Sequence, residues 1–144
     1  DAMKTKPVLA ICVGMQALMN RSEENEGVDC LGLMQGEVRY FGDDLRNNNG
    51  GRLKVPHMGW NQVKQAQDHP LWKGVPDNSR FYFVHSYYVH TELKGNVTGV
   101  AHYGTEIVAA LADNNIFATQ FHPEKSQTAG LTLLRNFLTW DGRN

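Results

Sequence analysis

The chain has 144 residues, 41% of them apolar and 20% charged, and 14 Lys plus Arg face 15 Asp plus Glu for a formal net charge of −1. This composition belongs to one folded domain spanning 1–144 with a real core, and it excludes a disordered chain. Near-neutral charge without a Lys/Arg cluster excludes the footprint of nucleic-acid binding, and no apolar run reaches the length of a membrane span.

Pro7 to Cys12 reads as a central strand, and Gly14–Asn20 (GMQALMN) continues it with helix formers. Only six residues precede that strand, so the sequence reads as part of a longer protein whose other strands would flank it. Ser22–Gly27 is a polar loop, Glu37–Phe41 (EVRYF) alternates as a strand would, and Arg46–Arg52 (RNNNGGR) is the clearest break. Leu53–Met58 and Trp60–Val63 are strand-like on either side of Gly59, and Asp68–Pro76 is a loop. Arg80–His90 (RFYFVHSYYVH) carries the strongest strand signal, being rich in aromatics and Val. Val97–His102, Ile107–Leu111 and Ile116–Phe121 follow as strands. The pattern closes with a helix over Thr128–Trp140, its stripe made by Leu131, Leu134 and Leu138 and widened by Leu133 and Phe137. The expected fold is α/β, an open mixed sheet flanked by helices.

Cys12 and Cys30 make no disulfide framework, which points to a reducing, cytoplasmic setting. The six histidines (57, 69, 85, 90, 102 and 122) show no metal-binding spacing, so neither a metal nor a cofactor is expected.

Cys12 stands where a strand runs straight into a helix. Such a joint turns sharply, projects its central residue outward and needs small neighbours, as in the G-x-S-x-G nucleophile elbow. Here the pattern is Ala10-Ile11-Cys12-Val13-Gly14, with alanine at the first small position. A helix N-terminus there favours thiolate, and the Val13 N–H would face a developing oxyanion. Taken alone, Cys12 is equally readable as a small buried hydrophobe. Far downstream, "FATQFHPEKS" offers His122 as a base and Glu124 as the carboxylate that orients it, with Pro123 stiffening the segment between them.

Together "ICVGMQ" and "QFHPEKS" resemble the class I glutamine amidotransferases, whose triad is Cys, His and Glu. "PHMGWN" (Pro56–Asn61) and "FYFVHSY" (Phe81–Tyr87) resemble, within that family, the glutaminase subunits of imidazole glycerol phosphate synthase in histidine biosynthesis. The resemblance runs from about Pro7 to Leu138 and corresponds to the C-terminal two-thirds of such a subunit, without its Pro-Gly-x-Gly loop. It implies a flavodoxin-like fold, short at its N-terminus, and a glutaminase with Cys12, His122 and Glu124 as catalytic residues and Val13 at the oxyanion. It further implies that Gly14, Gln16, Glu24, Ser86 and Tyr87 bind glutamine. Gln16 would lie near the substrate α-carboxylate, and Glu24 would receive its α-ammonium. Met58, Trp60, Asn61 and Lys125 would face a (βα)8-barrel cyclase subunit that takes the released ammonia, in a heterodimer. Trp60 is also readable as a core aromatic and Met58 as packing. The alternatives are a different class I glutaminase, such as a paralogue in sugar amination, or a catalytically silent partner subunit.

Overall fold

The computed structural model describes residues 6–24 and 27–143. Two sheets share the fold. The larger joins β1 (Val8–Ile11), β10 (Ile116–Thr119), β9 (Glu106–Asp113), β8 (Val97–His102), β5 (His57–Gln65) and β6 (Ser79–His85), in that spatial order. The smaller runs β3 (Val28–Asp29), β2 (Arg21–Ser22), β4 (Glu37–Tyr40) and β7 (Tyr87–His90). In the larger sheet only β1 and β10 pair parallel, with Ile11 opposite Thr119. The helices are α1 (Val13–Ala17) and α2 (Gln127–Thr139), with short 3-10 turns at Pro70–Trp72, Lys94–Asn96 and Pro123–Lys125. No helix among the described residues is long and apolar enough to cross a membrane.

The middle of the larger sheet is buried on both faces, and its alternation sorts residues between two cores. Phe117 faces a cluster with Trp72, Phe81, Phe83, Phe121 and Leu133, while Ile116 and Ala118 face one with Met15, Met19, Val38 and Val89. Near-continuous apolar runs such as IVAALA in β9 are what a doubly covered strand requires. The α/β mixed sheet expected from the sequence is present, with only two helices among the described residues.

Several boundaries differ from the sequence reading. The helix after Cys12 ends at Ala17 rather than Asn20, since Leu18 and Met19 close a tight turn and Asn20 bonds to Gly36 through both its N–H and its side chain. The expected loop at Ser22 begins inside β2, and residues 25 and 26 of that loop lie outside the described residues. The first of the two strands around Gly59 does not reach back to Leu53. Pairing starts after Pro56 and runs through Gly59, whose φ of 126° only glycine adopts readily. Arg80–His90 is not one strand. It breaks at Ser86, where the His85 ring Nδ1 bonds the Tyr87 carbonyl at 2.7 Å and the chain passes to the other sheet. The α2 stripe is rotated from the expected one. Gly130 and Leu133 are buried and Phe137 packs on the core, while Leu131 and Leu138 face outward. Asn136 fixes that rotation, donating to the carbonyls of Leu71 and Lys73 at 2.8 and 2.7 Å.

Candidate active site

Parallel pairing of β1 with β10 carries the two ends of the chain to the same sheet edge. Cys12 follows β1 directly, and its N–H still bonds the Thr119 carbonyl at 2.7 Å. His122 lies three residues beyond the end of β10. It is held there by a bridge to Tyr82, whose carbonyl accepts the His122 N–H at 2.9 Å. Ser126 pins the turn further, donating its hydroxyl to the His122 carbonyl at 2.6 Å and accepting the Tyr82 N–H at 2.9 Å.

At Cys12 the backbone takes φ 54° and ψ −106°, a strained conformation for a residue with a side chain. That strain is the signature of an elbow that has to aim its central residue. Positions 10 and 14 do face each other. A Cβ on Gly14 would sit 3.6 Å from that of Ala10, so alanine fits the first position because the second is glycine.

The Cys12 side chain is 8% exposed, and its surroundings are polar. The thiol donates to the Val84 carbonyl at 3.8 Å and accepts from the Gln120 side-chain amide at 3.6 Å. Burial pushes the thiol above its ordinary value. The Val13 N–H and the Gln120 amide pull against that rise, the Glu124 charge adds to it and the Lys125 charge opposes it. Against the expectation that the helix end would favour thiolate, burial outweighs the Val13 and Gln120 donors and shifts the thiol upward. His122 Nδ1 pairs with Glu124 Oε2 at 2.8 Å, which leaves Nε2 as the basic nitrogen of the ring.

A cavity of about 180 Å³ is lined by Val13, Gln16, Ala17, Ser22, Glu24, Val28 and Cys30; Val13, the residue after Cys12, is its link to the elbow. This is smaller than the roughly 300–1,000 Å³ of drug-sized sites, so it suits a compact ligand. Gln16 and Glu24 line the same cavity. Ser86 and Tyr87 are not among its walls; their carbonyls instead accept from Phe41 N–H and from Gln16 and His85.

The residues of "PHMGWN" divide by side. Met58 and Trp60 are 55% and 45% exposed, so neither is a core residue. Trp60 meets Tyr82 edge-on at 5.8 Å, and Tyr82 is the residue bridged to His122. Asn61 turns its amide to the His102 carbonyl at 2.9 Å and toward His57 Nε2 at 3.4 Å. Lys125 is exposed next to Glu124.

Three buried polar side chains went unread in the sequence. Gln120 bonds both Cys12 and Gln16, and His57 and His85 pair at 2.9 Å between their rings. The available signal was a polar residue inside an apolar run, as in IFATQF and YFVHS, since such a residue needs an internal partner.

The family described as glutamine amidotransferase class-I matches residues 1–140. The chain is 60% identical to the imidazole glycerol phosphate synthase subunit HisH of Pseudomonas putida over 143 residues, 99% of this chain and 67% of that protein. It is 54% identical to the subunit of the same name from Neisseria gonorrhoeae over 97% of this chain and 66% of that one. Among solved structures, a glutamine amidotransferase from Thermotoga maritima superposes with a TM-score of 0.61 at 15% identity, over 92% of this chain and 60% of that chain. The glutaminase domain of Trypanosoma brucei CTPS with bound acivicin gives 0.59 at 19% identity, over 96% and 64%. These two likenesses concern the fold. The matched family and the high identity to its curated members establish that the chain belongs to the class I glutamine amidotransferases.

Proposed function

We propose that the chain is the glutaminase part of an imidazole glycerol phosphate synthase, acting in the cytoplasm. Cys12, His122 and Glu124 hydrolyse glutamine to glutamate and ammonia, and a barrel cyclase subunit consumes the ammonia. The observation that carries this reading is the strained Cys12 elbow, bonded to the end of the strand that leads into the 2.8 Å His122–Glu124 pair.

Catalysis begins with proton transfer from Sγ to His122 Nε2, while Glu124 stabilises the imidazolium that results. The thiolate adds to the amide carbon of glutamine, and the Val13 N–H faces the oxyanion. As the tetrahedral adduct collapses, the C–N bond breaks and His122 hands its proton to the leaving nitrogen, giving ammonia and a γ-glutamyl thioester. Water then gives a proton to His122 and adds to the thioester. The C–S bond breaks, glutamate leaves and Cys12 regains its proton.

The cavity that opens at Val13 offers Glu24 for the substrate α-ammonium. Both protons of the Gln16 amide nitrogen are already used, on Tyr87 O at 3.2 Å and Gln120 Oε1 at 3.1 Å. Its oxygen alone is left for substrate, which suits accepting from the ammonium better than donating to the carboxylate. Released ammonia would be protonated in bulk water, so an acceptor site must lie close. The exposed Met58 and Trp60, with Trp60 edge-on to half-buried Tyr82 beside His122, support docking of the cyclase there.

An electrophilic glutamine analogue should label Cys12 in the full-length protein with its cyclase present, as read by peptide mass spectrometry. Unchanged labelling or glutamine turnover in Cys12→Ser would refute the assignment.

A further inference from the structure

We propose that Gln120 is a catalytic residue whose side-chain N–H holds the Cys12 sulfur, and that Gln16 is the positioning residue that keeps this donor aimed. The inference rests on Cys12 being the nucleophile.

A chain of forced choices fixes the orientation of both amides. The Tyr87 carbonyl can only accept, so the Gln16 end facing it at 3.2 Å must be the nitrogen. The second proton on that nitrogen points at Gln120, 3.1 Å away, so Gln120 must present its oxygen there. Gln120 then has only its NH2 to turn toward the sulfur, at 3.6 Å. The Tyr87 carbonyl is itself held from the other side by His85 Nδ1 at 2.7 Å. Neither amide can flip without setting like against like.

The setting makes this more than packing. Gln120 is 0% exposed, and its N–H is spent on a thiol sulfur, among the weakest acceptors in proteins. A buried donor so matched is poorly satisfied at rest. When Sγ loses its proton to His122 the same contact becomes a charge-assisted hydrogen bond, with no movement needed. Stabilisation is thus larger for the ionised sulfur than for the thiol, and interactions of that kind accelerate a chemical step. Gln120 also lies two residues before His122, and its own N–H is anchored on the Ala109 carbonyl at 2.8 Å, so donor and base sit on one stiff segment.

The test is the pH profile of Cys12 alkylation by iodoacetamide in the full-length protein, followed on the Cys12 peptide by mass spectrometry so that Cys30 does not interfere. Gln120→Met preserves length and volume without the N–H. Its midpoint should rise by about one pH unit, with alkylation about tenfold slower at pH 7. Gln120→Glu keeps an oxygen for Gln16 but sets a carboxylate by the sulfur, and should raise the midpoint further. Glutamine turnover in Gln120→Met should fall mainly in kcat. A folded Gln120→Met protein with the parent's midpoint overturns the proposal. Should that variant not fold, Gln16→Met reads the same bond, with a smaller rise expected and an unmoved midpoint equally fatal. Failure of the underlying reading has a different mark: turnover that survives Cys12→Ser removes the nucleophile itself, whatever the alkylation profile of Gln120→Met.

Discussion

Stability should fall steeply in mild acid, because the fold hides two histidines that have no place for another proton. His85 Nδ1 donates to the Tyr87 carbonyl, so its Nε2 must accept, and His57 Nδ1–H supplies that bond at 2.9 Å. His57 Nε2 then accepts from Asn61, while its ring lies between those of Phe83 and Tyr103 at 4.8 and 3.9 Å. A further proton on His85 Nε2 would face the His57 N–H, and one on His57 Nε2 would face the Asn61 amide N–H. Burial, with the neighbouring His85 adding to it, accordingly brings His57 to about 3; burial, with His122 nearby, brings His85 to about 4. Both folded values lie below the unfolded value of about 6.5, so the contribution is complete above pH 6.5 and is lost as pH falls toward 4. Between pH 8 and pH 5 each histidine should cost about 2 kcal/mol, about 4 kcal/mol together, before most carboxylates titrate. Urea unfolding at a series of pH values measures this directly. His57→Leu should be less stable at pH 8 but should lose only about half as much on acidification. A flat stability profile from pH 8 to 5, or ring resonances of both histidines titrating near 6.5, would refute the tautomer chain.

Glu124→Gln removes the charge that steadies the His122 imidazolium and should lower kcat by about a hundredfold or more, with cyclase binding intact by calorimetry. Gly130→Ala would drive a methyl to 1.9 Å from the Pro123 carbonyl, a backbone atom that cannot swing aside. It should cost about 1–3 kcal/mol in urea unfolding and lower turnover too, since Pro123 joins His122 to Glu124. Trp60→Ala should weaken cyclase binding by about 2 kcal/mol, roughly thirtyfold in Kd, and leave the unfolding midpoint nearly unchanged because the ring is exposed.

What the sequence revealed was whatever is local. The elbow, the H-P-E turn and the two runs through β9 and β10 each advertise themselves within a few residues, so the sheet and the position of Cys12 and His122 along the chain were legible. The break at Ser86 was not, because Phe81, Phe83 and His85 before it and Val89 after it are all buried, so the alternation falters only at half-buried Tyr87. The face of α2 was misjudged for a related reason. Leucines occur all round that helix, and Asn136, a polar residue reaching two carbonyls on the loop at Leu71–Lys73, decides which of them is buried. The amide chain through Gln16 and Gln120 joins positions 104 apart, a separation that no short pattern displays.

The same topology explains why the site needs so few anchoring devices. A parallel pair cannot be closed by a tight turn, so β1 and β10 draw together segments from opposite ends of the chain, and whatever follows each strand emerges at one edge. Cys12 follows the first and Gln120 to Glu124 follow the second, so the ladder that ends with Ile11 opposite Thr119 sets how these two segments lie beside each other. A one-residue slip would turn Ile116 and Ala118 toward the aromatic core and Phe117 away from it. Burial of Phe117 therefore locks this register, and with it the positions at which Cys12 and the Gln120–Glu124 segment emerge from the sheet.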